Sequence, residues 1–220
     1  MLDIDGNYML HAYDEQGNLI SRSKHDGAGA LTQIRQWDYQ SPDMPGKLWK
    51  EIQSNGSFRE YRYDADGNVI RAVDFEGHAT EYEYDYLNRL TAVIQPGDVR
   101  TEYEYDYHGN LRSVTDAEGH QTLFECDDMG RLLAEISPDR GTTTYTYDSA
   151  GNVVQKTDGN GVVIHYTYDA LNRLVHKGYP DAGEDVSVTY DVGTNGNGRR
   201  TGIANAVEQT VFEYDRRGRL

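Results

Sequence analysis

The sequence predicts an all-β fold: tandem 21-residue β-hairpin repeats joined into one long, coiled antiparallel sheet. Three observations carry that expectation. A Tyr-Asp pair recurs at a constant 21-residue spacing, two turn signals fall inside each period, and the residues between them alternate polar and apolar.

The regular copies stand at Tyr63-Asp64, Tyr84-Asp85, Tyr105-Asp106, Tyr147-Asp148 and Tyr168-Asp169, with Cys126-Asp127 in the same register. Looser copies flank them at Tyr13-Asp14, Trp37-Asp38, Tyr190-Asp191 and Tyr214-Asp215. Ten copies of a two-strand unit imply about twenty strands. The organisation expected is a single array over residues 1–220, with a regular core at 61–189. Irregular copies carry turn insertions at about 38–46 and 191–198. Both insertions fall directly after the Asp, and chains accept insertions in exposed turns far better than in paired strands. That slot is a turn.

A second turn signal follows about eleven residues after each Tyr. It reads Asp-x-x-Gly at Asp74–Gly77, Asp116–Gly119 and Asp158–Gly161, and it is built on Pro96, Pro138 and Pro180 in the intervening copies. The two forms alternate, so a 42-residue superperiod overlies the 21-residue one. Duplication of a two-unit ancestor accounts for it; the other reading is that alternate hairpins meet different surroundings.

Between turns, Glu81-Tyr82-Glu83-Tyr84 and Glu102-Tyr103-Glu104-Tyr105 alternate strictly, which places aromatics on one face of a strand. Eight of the 18 tyrosines hold the Tyr-Asp position, and Tyr61, Tyr82, Tyr103, Tyr145 and Tyr166 stand two residues earlier. Two aromatic rows are expected to supply apolar area by stacking, with their hydroxyls still reaching water. The Asp after each Tyr is expected to accept backbone N–H groups at the turn. The repeat-defining residues Tyr13, Asp14, Tyr63, Asp64, Tyr84, Asp85, Tyr105, Asp106, Tyr147, Asp148, Tyr168 and Asp169 are therefore read as structural. Cys126 in a tyrosine slot agrees, since a packing position accepts a small apolar substitute.

No catalytic, cofactor-binding or metal-binding residues are assigned. Asp64-Ala65-Asp66-Gly67-Asn68 resembles the start of a calcium loop, but Val69 and Phe75 stand where an EF-hand needs Gly and Glu. The seven histidines form no metal-ligand pattern, and Cys126 is the lone cysteine. With 37 acidic against 21 basic side chains the net charge is −16, which argues against a nucleic-acid partner. No run of about 18 apolar residues provides a membrane span.

The motifs Tyr-x-Tyr-Asp-x-x-Gly-Asn-Leu (Tyr103 to Leu111) and Tyr-Asp-x-x-Asn-Arg-Leu (Tyr84 to Leu90, Tyr168 to Leu174) resemble the YD repeats of the Rhs, or rearrangement hotspot, family. Similar arrays belong to polymorphic toxins, insecticidal toxin-complex shells and teneurins. The resemblance implies a segment of a hollow β-shell in a secreted or cell-surface protein. Its partners would be the remainder of the shell and a C-terminal effector chain, with self-association through sheet edges. The alternative it implies is an adhesion module that grips a glycan or surface protein, with Tyr82 and Tyr103 as contacts. The family's autoproteolytic Asp-Pro motif is not in this chain. The array is shorter than family shells and stops inside a repeat, so a piece of a larger wall is expected. An enzyme ranks last, because like carboxylates in like surroundings give no divergence of pKa values for acid–base work.

Overall fold

A computed structural model describes residues 5–220. Among them stand nineteen strands and one three-residue 3-10 turn. The strands are β1 (Tyr8–Tyr13), β2 (Leu19–His25), β3 (Leu31–Asp38), β4 (Lys50–Gln53), β5 (Phe58–Tyr63), β6 (Val69–Val73), β7 (Ala79–Tyr84), β8 (Leu90–Gln95) and β9 (Val99–Tyr105). They continue as β10 (Leu111–Thr115), β11 (Gln121–Cys126), β12 (Leu132–Ser137), β13 (Gly141–Tyr147), β14 (Val153–Thr157), β15 (Val163–Tyr168), β16 (Leu174–Gly178), β17 (Val186–Tyr190), β18 (Arg200–Ala204) and β19 (Gln209–Val211). Nine copies contribute an outgoing and a return strand. The copy at Tyr214 contributes only β19, which is why the number is nineteen and not twenty.

Contacts divide the chain into two compact units, Met1–Glu104 with Thr115–Gly119, and Tyr105–Val114 with His120–Leu220. Each is an antiparallel meander in which a strand pairs with its sequence neighbour. In the first, β5 pairs β6 with Tyr61 opposite Ala72, and β7 pairs β8 with Tyr82 opposite Val93. In the second, β13 pairs β14 with Tyr145 opposite Lys156, and β15 pairs β16 with Tyr166 opposite Lys177.

Seven of the outgoing strands end in the same irregularity. The register shifts by one residue immediately before Tyr13, Tyr63, Tyr84, Cys126, Tyr147, Tyr168 and Tyr190. A bulge of this kind bends the strand and re-aims the next side chain. The copy at Trp37 lacks it, with Trp37 opposite Glu51 and Asp38 opposite Lys50 in unbroken register.

The insertions lie where turns were expected, between β3 and β4 and between β17 and β18. The proline turns at 96–98 and 138–140 are tight. The third departs from them: residues 179–185 form a longer connection holding the 3-10 turn Ala182–Glu184, capped by Asp181, whose Oδ1 accepts the Gly183 N–H at 2.9 Å.

Among the described residues, neither unit encloses a large apolar core. The buried hydrophobic residues among those described are Ala92 and Ala134, and Ser113 sits midway between them at the same step of 21. Outside that row, side chains are half-buried along one sheet surface, as in β7 and β13, where every second residue is exposed. Stability must therefore come from what the hairpins do to each other, as in other arrays of stacked repeats.

Candidate functional site

The recurring site is the Tyr-Asp corner, built from one turn and the hairpin before it. At Asp64 the backbone N–H donates to the Asn68 carbonyl at 3.0 Å, and the Gly67 N–H donates to the Asp64 carbonyl at 3.2 Å. The fourth residue of this turn has a left-handed backbone, which explains its composition. It is Gly67 (φ 88°) or Gly151 (φ 89°), and otherwise Asn88 (φ 60°) or Asn172 (φ 59°), the residue types that reach this region at least cost.

The carboxylate completes the turn. Asp64 Oδ1 accepts the N–H groups of Asp66 and Asn68, and Oδ2 accepts the Asn68 side-chain amide at 2.9 Å. Asp14, Asp106 and Asp148 do the same with Asn18, Asn110 and Asn152. At Asp85, Asp127 and Asp169 the partner is an arginine, whose Nε donates to Oδ2 at 2.8, 2.7 and 2.7 Å from Arg89, Arg131 and Arg173. The sequence pointed to the backbone bonds. It did not reveal that the Asn or Arg four residues on exists to hold the second oxygen.

These bonds favour the charged carboxylate. The side chains of Asn68, Arg89, Asn110, Arg131 and Asn152 hold Asp64, Asp85, Asp106, Asp127 and Asp148 below the ordinary range; at Asp169 the Arg173 backbone N–H leads. All shift in one direction for one reason. Asp64, whose sequence context looked calcium-like, has both oxygens committed to donors.

The tyrosine of the pair reaches backwards. Tyr63 Oη donates to the Leu48 carbonyl at 2.7 Å, Tyr84 to Val69 at 3.0 Å, Tyr147 to Leu132 at 2.7 Å and Tyr168 to Val153 at 2.9 Å, each spanning 15 residues to the preceding hairpin. The hydroxyls expected to reach water are therefore spent on backbone carbonyls. Burial pushes the phenol groups of Tyr63, Tyr84, Tyr147 and Tyr168 upward.

Ring contacts also differ from simple stacking. Tyr8 stacks on His25 at 4.9 Å, but at the corners a cation covers the ring: Arg131 lies 4.7 Å from the Tyr147 centroid and Arg173 lies 4.3 Å from that of Tyr190. One arginine thus closes its own turn and covers the next unit's tyrosine. In the alternate copies the Asn68 and Asn152 amides donate to the Oδ1 of Asn88 and Asn172 at 2.8 and 2.9 Å. The 42-residue alternation has a mechanical use here, although corresponding residues such as Val69, Leu90, Leu132 and Val153 are equally half-buried.

Both insertions join the same scheme. Asp43 pairs with Arg62 at 3.2 Å, and Lys47 lies 5.9 Å from the Tyr63 centroid, so the 39–49 loop lies against the next corner. In the other insertion the Asn195 amide donates to the Tyr214 carbonyl at 2.9 Å. Tyr13 and Asp14 stand at the first corner, with Tyr13 exposed. Tyr105 and Asp106 occupy the equivalent corner after β9. Tyr82 and Tyr103 are half-buried in β7 and β9, two residues before their corners.

Structurally, this is a tandem β-hairpin repeat protein whose copies are laced corner to corner. Residues 35–220 match the family described as Teneurin YD-shell, and the chain belongs to that family. Solved structures share the fold at low identity. TcdB2-TccC3 without its hypervariable C-terminal region has a TM-score of 0.60 and 15% identity, covering 96% of this chain and 15% of that one. TcdB2-TccC3-TEV gives 0.54 and 14%, covering 96% and 16%. The Tc holotoxin pore of Photorhabdus luminescens gives 0.57 and 14%, covering 92% and 14%. The chain spans 14–16% of these structures' chains. No curated protein matches it. No helix among the described residues is long and apolar enough to cross a membrane.

Proposed function

We propose that the chain is a stretch of shell wall in a larger secreted or cell-surface protein of the polymorphic-toxin kind, with no catalysis of its own. The observation that carries this is the Tyr-Asp corner. Its polar groups are consumed in closing each turn and in tying one hairpin to the one before, which is what a wall needs and what an active site cannot spare. The uniform direction of the carboxylate shifts supports the same reading, because acid–base catalysis needs neighbouring groups pushed apart. Membership of the YD-shell family and the fold shared with Tc toxin structures supply the context.

In this reading the partners are further repeats, which add as strands at the free edges of β1 and β19, and an effector chain that the completed shell walls off. An open edge offers unpaired backbone groups, so the 220-residue piece would self-associate. Adhesion through Tyr82 and Tyr103 is less favoured, since neither ring stands free of its sheet face.

The test is protease protection in the full reading frame that carries these residues. The segment enclosed by the shell should resist a broad-specificity protease until denaturant opens the wall. Digestion of that segment at the rate of its isolated peptide rejects the proposal.

A further inference from the structure

Of the ten aspartates that head the corners, eight have the second carboxylate oxygen closed by the Asn or Arg four residues on. The exceptions are Asp38 and Asp191, whose corners carry the insertions. There the extra residues remove that side chain from reach.

The two exceptions are met differently. At Asp191 an arginine of the preceding turn crosses over: Arg173 Nη1 and Nη2 donate to Asp191 Oδ1 and Oδ2 at 3.2 and 2.6 Å. Its Nε stays on Asp169 at 2.7 Å, and its guanidinium lies 4.3 Å from the Tyr190 centroid. One flat cation thus fills the space between successive corners, edge to carboxylate and face to ring. At Asp38 the preceding turn has Asn18 in the slot of Arg173, and that amide ends on Asp14 Oδ2 at 2.9 Å. Asp38 Oδ1 accepts the Gln40 N–H at 2.8 Å, while Oδ2 has no donor among the described residues.

The nearby cations are turned elsewhere. Lys50 stands opposite Asp38 in the ladder, but its Nζ lies 3.5 Å from Glu60 Oε2 and 4.2 Å from the Trp49 centroid. The 39–49 loop leans away too, with Asp43 on Arg62 and Lys47 beside Tyr63. What opens between the first two corners is a groove of about 390 Å³, with Asp14, Gln16, Trp37, Asp38, Tyr39 and Gln40 on its walls. No lysine or arginine lines it among the described residues.

The lining selects the chemistry of the occupant. Two carboxylates repel an anion, and a metal ion finds one open carboxylate oxygen, too few ligands to hold it. An open carboxylate oxygen beside an indole and a phenol suits a flat cation, which lays its face on a ring while its edge donates to oxygen. A guanidinium has that shape and an ammonium does not. The same molecule shows the fit at Asp191, where its own arginine supplies the group.

We propose that this groove binds the side chain of an arginine presented by a partner polypeptide, with the guanidinium donating to Asp38 Oδ2 and lying against Trp37. The site is a corner left open by an insertion and does not depend on what the wall encloses.

Tryptophan fluorescence tests it in the 220-residue chain. Trp49→Phe leaves Trp37 as the sole indole, and because Trp49 Nε1 is buried without a partner the exchange forfeits no hydrogen bond. In this background, N-acetyl-arginine amide titrated into the millimolar range should change the Trp37 emission saturably, and N-acetyl-lysine amide, of equal charge, should bind more weakly. Asp38→Asn keeps an oxygen for the Gln40 N–H and should weaken binding about tenfold. Asn18→Arg supplies in the same chain the residue that Arg173 is at the other insertion, and should abolish binding while raising Tm. Asp66→Asn, an acidic turn position outside the groove, should leave it unchanged. The proposal is overturned if the arginine probe gives no saturable change, if the lysine probe binds equally well, or if either Asp38→Asn or Asn18→Arg binds like the parent.

Discussion

Replacing Tyr147 by Phe removes one oxygen atom and keeps the ring that Arg131 covers. The structure says what that oxygen does: it donates to the Leu132 carbonyl at 2.7 Å, across 15 residues and from one hairpin to the one before. A hydrogen bond of this kind contributes about 1 kcal/mol net, within a range of about 0.5–1.5. For a chain of this size about 1 kcal/mol corresponds to a fall in Tm of about 2–4 °C. Tyr168→Phe, which loses the 2.9 Å bond to Val153, should cost a similar amount. Distinct bonds to distinct carbonyls add, so the double variant should lose about 2 kcal/mol. The assay is urea and thermal unfolding followed by far-ultraviolet circular dichroism. Tyr107→Phe is the control, because that side chain is 90% exposed at a turn tip. A Tyr147→Phe variant that unfolds with Tyr107→Phe at the parent's midpoint refutes the idea that these hydroxyls hold the repeats together.

Further outcomes follow from the same contacts. Cys126→Tyr restores a hydroxyl to the corner where the carbonyl 15 residues earlier is that of Leu111, and should raise stability by about 1 kcal/mol in urea titration. Asp169→Ala deprives the Leu171 and Arg173 N–H groups and the Arg173 Nε–H of their acceptor, and should lower Tm more than Asp66→Ala on a turn surface. The corner carboxylates titrate lower in the folded chain than in the unfolded one. Their stabilisation is therefore complete above the unfolded value of roughly 4 and is lost as pH falls through the folded values. Urea midpoints should fall on acidification below about pH 4; a midpoint that rises there contradicts the carboxylate bonding. Gly159→Ala should destabilise severely, because the new Cβ meets the Arg140 backbone, whereas Gly77→Ala has open space and should cost only about 1 kcal/mol for its positive φ.

Spacing alone carried the fold. Six copies at a 21-residue step, with turn residues at fixed offsets, leave little but a hairpin repeat. The acceptor role of Asp64 and its equivalents was also readable, because Asp at the head of a turn has few other uses. The backward reach of Tyr147 was not. It depends on the bulge before the corner, and strict alternation looks the same with or without a one-residue shift. Arg131 gave no sign of serving two units, since its contact with Tyr147 appears only once neighbouring hairpins are in register.

Backbone amide exchange, resolved residue by residue, tests the repeated Tyr-Asp corner most directly. The N–H groups of Asp64, Asp85, Asp106, Asp127, Asp148 and Asp169 each donate to the carbonyl four residues on, so they should exchange slowly and mark a ladder with a 21-residue step. Slow exchange confined to one contiguous block, with these six amides open to solvent, contradicts the account.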